Sequence, residues 1–145
     1  MPGRFPYEKM SSYPHLGPHD AAIWDHFIDH FPDEYLAVDY DAWVGEGSMP
    51  DPKAEGDPGK HTGEGLTKKR IDVVAYRADG SIDCIELRPH AGSSAIGAVL
   101  TNHFLLQGAD TSSPCTPLII TDKAQPDLAG IAAKHGVKII ELGFA

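Results

Sequence analysis

The chain is poor in cysteine, in long apolar runs and in positive charge. Cys84 and Cys115 are its only cysteines. Two isolated cysteines exclude a disulfide framework and a thiolate metal site, and they suit a reducing compartment. No run of about 18 apolar residues occurs, which excludes a membrane-spanning helix. Residues 1–12 lack the apolar core of a secretory signal, so neither secretion nor membrane insertion is expected. Lysine and arginine total 12 against 21 aspartates and glutamates, giving a formal charge of −9. Such a chain repels DNA at long range. It can hold a phosphate backbone where a metal ion bridges carboxylates to phosphate. No Gly-Lys-Ser/Thr phosphate cradle is present, and no Gly-x-Ser-x-Gly elbow frames Ser93 and Ser94.

What is present suffices for one folded domain: 145 residues, 41% of them hydrophobic. Residues 1–17 hold three prolines and two glycines without periodicity and read as an irregular arm, leaving 18–145 as the domain. A helix is expected from Pro18–Asp20, with Ile23, Trp24, Phe27, Ile28 and Phe31 on one face and Pro32 ending it. Tyr35–Val44 reads as a strand carrying Leu36, Val38, Tyr40, Ala42 and Val44 on one side. The Gly/Pro-rich stretch 45–66 has the composition of a long loop. Arg70–Arg77 and Ser81–Arg88 read as a hairpin joined by Ala78-Asp79-Gly80. Both of its faces are apolar, with Ile71, Val73, Ala75, Ile85 and Leu87 on one side, as expected of central strands covered by helices. A helix over 94–107 follows, capped by Ser93 or Ser94 and stopped by Gly108. A strand over 117–121, a helix over 126–135 and a strand over 137–142 complete an α-β-β-β-α-β-α-β order. That order implies an α/β fold with a mixed central sheet, and parallel strand pairs after residue 88.

The hairpin loop sets a register. With Arg77 opposite Ser81, paired numbers sum to 158, and Asp72 falls opposite Glu86. Opposed residues share a face with Cβ atoms about 4.5–5.5 Å apart, and Arg88 lies two residues along on the same face. Two close carboxylates in an apolar sheet are costly unless a cation offsets their repulsion. A neighbouring arginine would do so, as in a simple ion-pair ladder. A two-residue Asp79-Gly80 turn would instead send the carboxylates to opposite faces.

The ordered set Arg70-Ile71-Asp72-Val73-Val74, then Cys84-Ile85-Glu86-Leu87-Arg88-Pro89, resembles the restriction-endonuclease-like PD-(D/E)XK nucleases. Together with Tyr40-Asp41-Ala42-Trp43-Val44-Gly45-Glu46-Gly47 it is similar to small phage and prophage proteins of that superfamily. The resemblance runs over roughly residues 20–142. It implies Asp72 and Glu86 as ligands of Mg²⁺ or Mn²⁺, with Asp72, Glu86 and Arg88 as the catalytic set. Two departures stand out. Arg88 replaces the family's lysine and cannot readily accept a proton. Gly97-Ala98-Val99 replaces Gly-Gln-Leu, so Ala98 brings no polar group.

These departures, the charge of −9 and the irregular arms favour loss of catalysis. The first expectation is a virion-associated phage assembly protein, in the head or neck. It would act without a cofactor through other virion proteins and copies of itself, in the virion or the host cytoplasm. The alternative is a Mg²⁺-dependent DNA nuclease. Lys68, Lys69 and Arg70 are candidate phosphate contacts, or else a charged strand end that blunts aggregation. His26 and His30 stand one helical turn apart, but the zinc-protease pattern needs Glu where Phe27 sits. Trp24 and Trp43 are expected in the core, with an exposed-interface role for Trp43, next to the glycine loop, as the minority reading.

Overall fold

The computed structural model describes residues 3–45, 69–109 and 112–143. Lys68 and all of the 45–66 loop except Gly45 lie outside the described residues. A six-stranded sheet runs in chain order: β1 (Phe5–Pro6), β2 (Ala37–Val44), β3 (Lys69–Tyr76), β4 (Ile82–Leu87), β5 (Cys115–Thr121) and β6 (Lys138–Glu141). The first four strands are antiparallel, whereas β4–β5 and β5–β6 are parallel. Each parallel step needs a crossover, supplied by α2 (Ser93–Ala109) and α3 (Leu128–Lys134). α1 (Pro18–His30) covers one face of the sheet, while α2 and α3 cover the other.

Proline at the first turn of α1 costs no hydrogen bond, because that N–H would be unpaired anyway. Ile23, Trp24, Phe27 and Ile28 are buried against Val38, Tyr40, Val73, Ile85, Leu87, Leu118 and Ile120. Trp24 Nε1–H donates to the Tyr40 hydroxyl at 2.9 Å, which satisfies both buried polar groups. The apolar stripe ends one residue short of the expectation: Phe31 is half-exposed, beyond the last turn.

The expected irregular arm contains a strand. β1 pairs with β2 through Phe5↔Val38 and Pro6↔Ala37, and Phe5 lies edge-on to Tyr40. Short prolines-and-glycine segments give no period to read, so this pairing is set by tertiary contact alone. α2 also runs past Gly108 to Ala109. Ser93 and Ser94 lie within it, so neither caps it from outside.

Candidate active site

The hairpin pairs Val73↔Ile85, Val74↔Cys84, Ala75↔Asp83 and Tyr76↔Ile82, each summing to 158 as expected. Gly80 takes the left-handed conformation (φ 91°) that the three-residue turn requires. The ladder ends at Val73–Ile85. At the next position the Leu87 N–H turns away from the β3 backbone and donates to Asp72 Oδ2 at 2.9 Å. Beyond it the two strands part, so Arg70 does not come to lie opposite Arg88 as the register would place it. On its other edge Arg70 pairs with Trp43 of β2.

A second break lies across the sheet. Asp41 on β2 has φ 52°, a rare left-handed conformation for a non-glycine residue. Side-chain alternation shifts there. Val38 and Tyr40 pack under α1, whereas Ala42, Val44 and the opposed Ile71 join the cluster under α2. This corrects two sequence expectations: one uninterrupted face for β2, and Ile71 sharing a face with Val73. It corrects a third as well, since Trp43 is 47% exposed rather than in the core.

Where β3 and β4 part, an open cleft of about 570 Å³ forms against α2. Its lining comprises Lys69, Arg70, Asp72, Glu86, Ser94, Gly97, Ala98, Thr101 and Asn102. Asp72 and Glu86 thus meet in one cleft, and Ala98 faces it. Asn102, not singled out from the sequence, donates Nδ2–H to the Arg70 carbonyl at 3.3 Å and ties the start of β3 to α2. Ser94 is part of the site as well. Arg88 Nη1 donates to its hydroxyl at 2.8 Å, while Arg88 Nη2 and Nε donate to Glu86 Oε2 at 2.6 and 3.2 Å.

Burial pushes the Asp72 carboxyl up to about 7, and repulsion from Glu86 adds to the rise. Burial also raises Glu86, against the opposing pull of Arg88. Asp20, in the first turn of α1, contributes repulsion to both and is itself raised by burial. In the sequence Asp20 reads only as a helix start; nothing local reveals that α1 carries it to the ends of β3 and β4.

The donor set suits a hard cation. Among the described residues one oxygen of each carboxylate is engaged by a protein donor, Asp72 Oδ2 and Glu86 Oε2, and the other oxygen is free. No three His, Cys, Asp or Glu side chains among the described residues form a ligand cluster. Mg²⁺ commonly takes one or two protein carboxylates and completes its shell with water and substrate phosphate. The Asp72–Glu86 pair therefore fits such an ion, with Arg88 sharing Glu86. His26 and His30 stack 4.8 Å apart on α1 without joining such a cluster. Among the described residues no helix is long and apolar enough to cross a membrane.

Solved structures share this architecture. A protein of unknown function, AF1548, superposes with a TM-score of 0.55 at 16% identity, over 85% of this chain and 59% of its own. A repair endonuclease from Pyrococcus abyssi gives 0.55 at 12% identity, over 90% of this chain and 49% of its own. EndoMS, solved as a complex with double-stranded DNA, gives 0.50 at 13% identity, over 94% and 51%. The fold is restriction-endonuclease-like. The chain spans about half to three-fifths of the length of these proteins. No protein-family model and no curated protein sequence matches it.

Proposed function

We propose that the chain is a divalent-metal-dependent DNA nuclease of low intrinsic rate, with Asp72 and Glu86 holding Mg²⁺ or Mn²⁺. One observation carries this reading. Two carboxylates, both driven towards the protonated form, meet in a cleft whose rim carries Lys69 and Arg70. When bound there, the cation supplies a polarised water and positive charge for a phosphate oxygen. Lys69 and Arg70, which line the same cleft, would contact the phosphate backbone. Arg88 donates to phosphate oxygens but takes no proton from water, because guanidinium stays charged. Ala98 offers the water no hydrogen bond. Both losses lower the rate without removing the metal site. Likeness to two proteins described as a repair endonuclease and a DNA-bound EndoMS supports a DNA substrate.

A second reading keeps the scaffold and drops the chemistry: a virion-associated assembly protein, in the head or neck, contacting other virion proteins and copies of itself. The Arg88 clamp on Glu86 and Ser94 supports only the loss of chemistry, since the site then carries its own cation. Incubation of the purified chain with plasmid and linear DNA in Mn²⁺ or Mg²⁺, beside Glu86→Ala, separates the two. Metal-dependent cutting abolished by the substitution is expected. No cutting, with the chain recovered from purified particles, establishes the assembly reading instead.

A further inference from the structure

A second cavity, of about 500 Å³, lies where the N-terminal segment meets β2. Arg4, Phe5, His15, Tyr40, Asp41 and Trp43 are among the residues that line it. Arg70 joins the two spaces. It lines the carboxylate cleft, and its guanidinium lies 4.7 Å from the centre of the Trp43 ring. We propose that this cavity is a stacking site for an unpaired nucleotide base, whose strand passes over Arg70 into the carboxylate cleft. The inference rests on the nuclease reading and names its substrate as DNA with single-stranded character.

Three observations support it. First, Trp43 is half-exposed because the left-handed turn of backbone at Asp41 sends it away from the core. Bases stack on such exposed rings whatever their identity, since each has a π face. Second, the wall is held in an unfavourable conformation. His15 (φ 58°) and Asp41 (φ 52°) are both left-handed, and His15 Nε2 lies 3.3 Å from Asp41 Oδ2. Asp41 also faces Arg70 at 3.7 Å, and its Oδ2 accepts from Trp43 Nε1 at 3.3 Å. Backbone strain of this kind persists where neighbouring contacts over-determine it, and it concentrates at binding sites. Third, cations are at hand on a chain of net charge −9. Arg4 lines the cavity, paired with Asp39 at 3.2 Å, and Arg70 lies over Trp43 while Lys69 and Arg70 line the carboxylate cleft.

The test uses the full chain with Ca²⁺ in place of Mg²⁺. Labelled single-stranded and blunt duplex oligonucleotides are titrated by fluorescence anisotropy at low salt, with tryptophan emission followed in parallel. Single strands should bind more tightly than duplex and quench Trp43 emission; Trp24, fully buried, should respond little. Trp43→Ala should weaken single-strand binding about tenfold, as for loss of one stacked base, and Trp43→Phe should retain most of it. Thermal melts confirm that both variants fold. Single-strand binding that survives Trp43→Ala unchanged overturns the stacking site and leaves the nuclease reading standing. No binding of either oligonucleotide, with any divalent ion, overturns both.

Discussion

The carboxylate of Asp72 accepts a hydrogen bond from the backbone N–H of Leu87 at 2.9 Å, at the point where the β3–β4 ladder stops. A side chain thus takes the place of a strand carbonyl. The exchange keeps the Leu87 N–H satisfied while the strands separate. Asp72 lines the cleft together with Glu86.

The raised Asp72 makes stability depend on pH in a definite direction. Its ordinary value of 3.8 becomes about 7 in the folded chain. Between those values the folded state binds more protons than the unfolded one, so stability falls as pH rises through that window and levels off above it. Asp72→Asn keeps an acceptor for the Leu87 N–H and removes the charge. It should raise the melting temperature at pH 8, with each kcal/mol worth about 2–4 °C, and the advantage should shrink at pH 5. Parallel melting-temperature profiles for wild type and variant across pH 5–8 refute the assignment.

The same cluster predicts how a metal acts on the fold. A cation that binds only the folded chain stabilises it by mass action, about 1.4 kcal/mol at ten times its dissociation constant. Protons compete for the two carboxylates, so millimolar Mn²⁺ should raise the melting temperature at pH 8 more than at pH 5. Glu86→Ala should abolish the shift. A melting temperature indifferent to Mn²⁺ at pH 8 removes Asp72 and Glu86 as a metal site.

A second carboxylate–arginine group occupies the other end of the hairpin. Asp83 is buried, accepts from Arg77 at 2.8 and 3.1 Å, and accepts from the Tyr35 hydroxyl at 2.5 Å. Arg77 also reaches Glu34 at 2.7 Å and lies over the Tyr35 ring. Asp83→Ala leaves a buried hydroxyl and a partly buried guanidinium without their main acceptor. It should destabilise by about 3 kcal/mol, the lower end for breaking a buried pair, because Arg77 keeps Glu34. It should leave DNA affinity intact. Chemical denaturation and the anisotropy titration check the two halves separately. A variant as stable as wild type contradicts this account.

What the sequence made legible follows from the range of each interaction. The hairpin register was readable because a short loop and strict two-residue alternation act over neighbouring residues; Asp72 and Glu86 lie one position beyond its last pair and line one cleft. The helix α1 was readable from the spacing of Trp24 and Phe27. Three features were not. The left-handed Asp41, which exposes Trp43, has no local signal beyond the tolerance of aspartate for that conformation. The approach of Asp20 to the cleft depends on how α1 docks across the sheet. Ser94 reads as a helix cap because capping is the commoner use of serine there, whereas its hydroxyl serves Arg88.

The two departures from the nuclease pattern can be reversed. Arg88 bridges Glu86 and Ser94 with separate nitrogens of one rigid fork. A lysine has a single ammonium and cannot hold both in that geometry, so Arg88→Lys loosens the clamp on Glu86 Oε2. It also introduces a group that can give and take a proton. Ala98→Gln adds a polar amide at a position already facing the cleft. Positioned proton transfer is worth about 10²–10⁴-fold in rate, and a partly restored site should recover the lower part of that range. The double variant should therefore cut linear DNA in Mn²⁺ about 10–100 times faster than wild type, with each single variant in between. Glu86→Ala in the double background should return cutting to zero, which ties the gain to this cleft. Equal or slower cutting by the double variant means that Arg88 and Ala98 are not what limits the site.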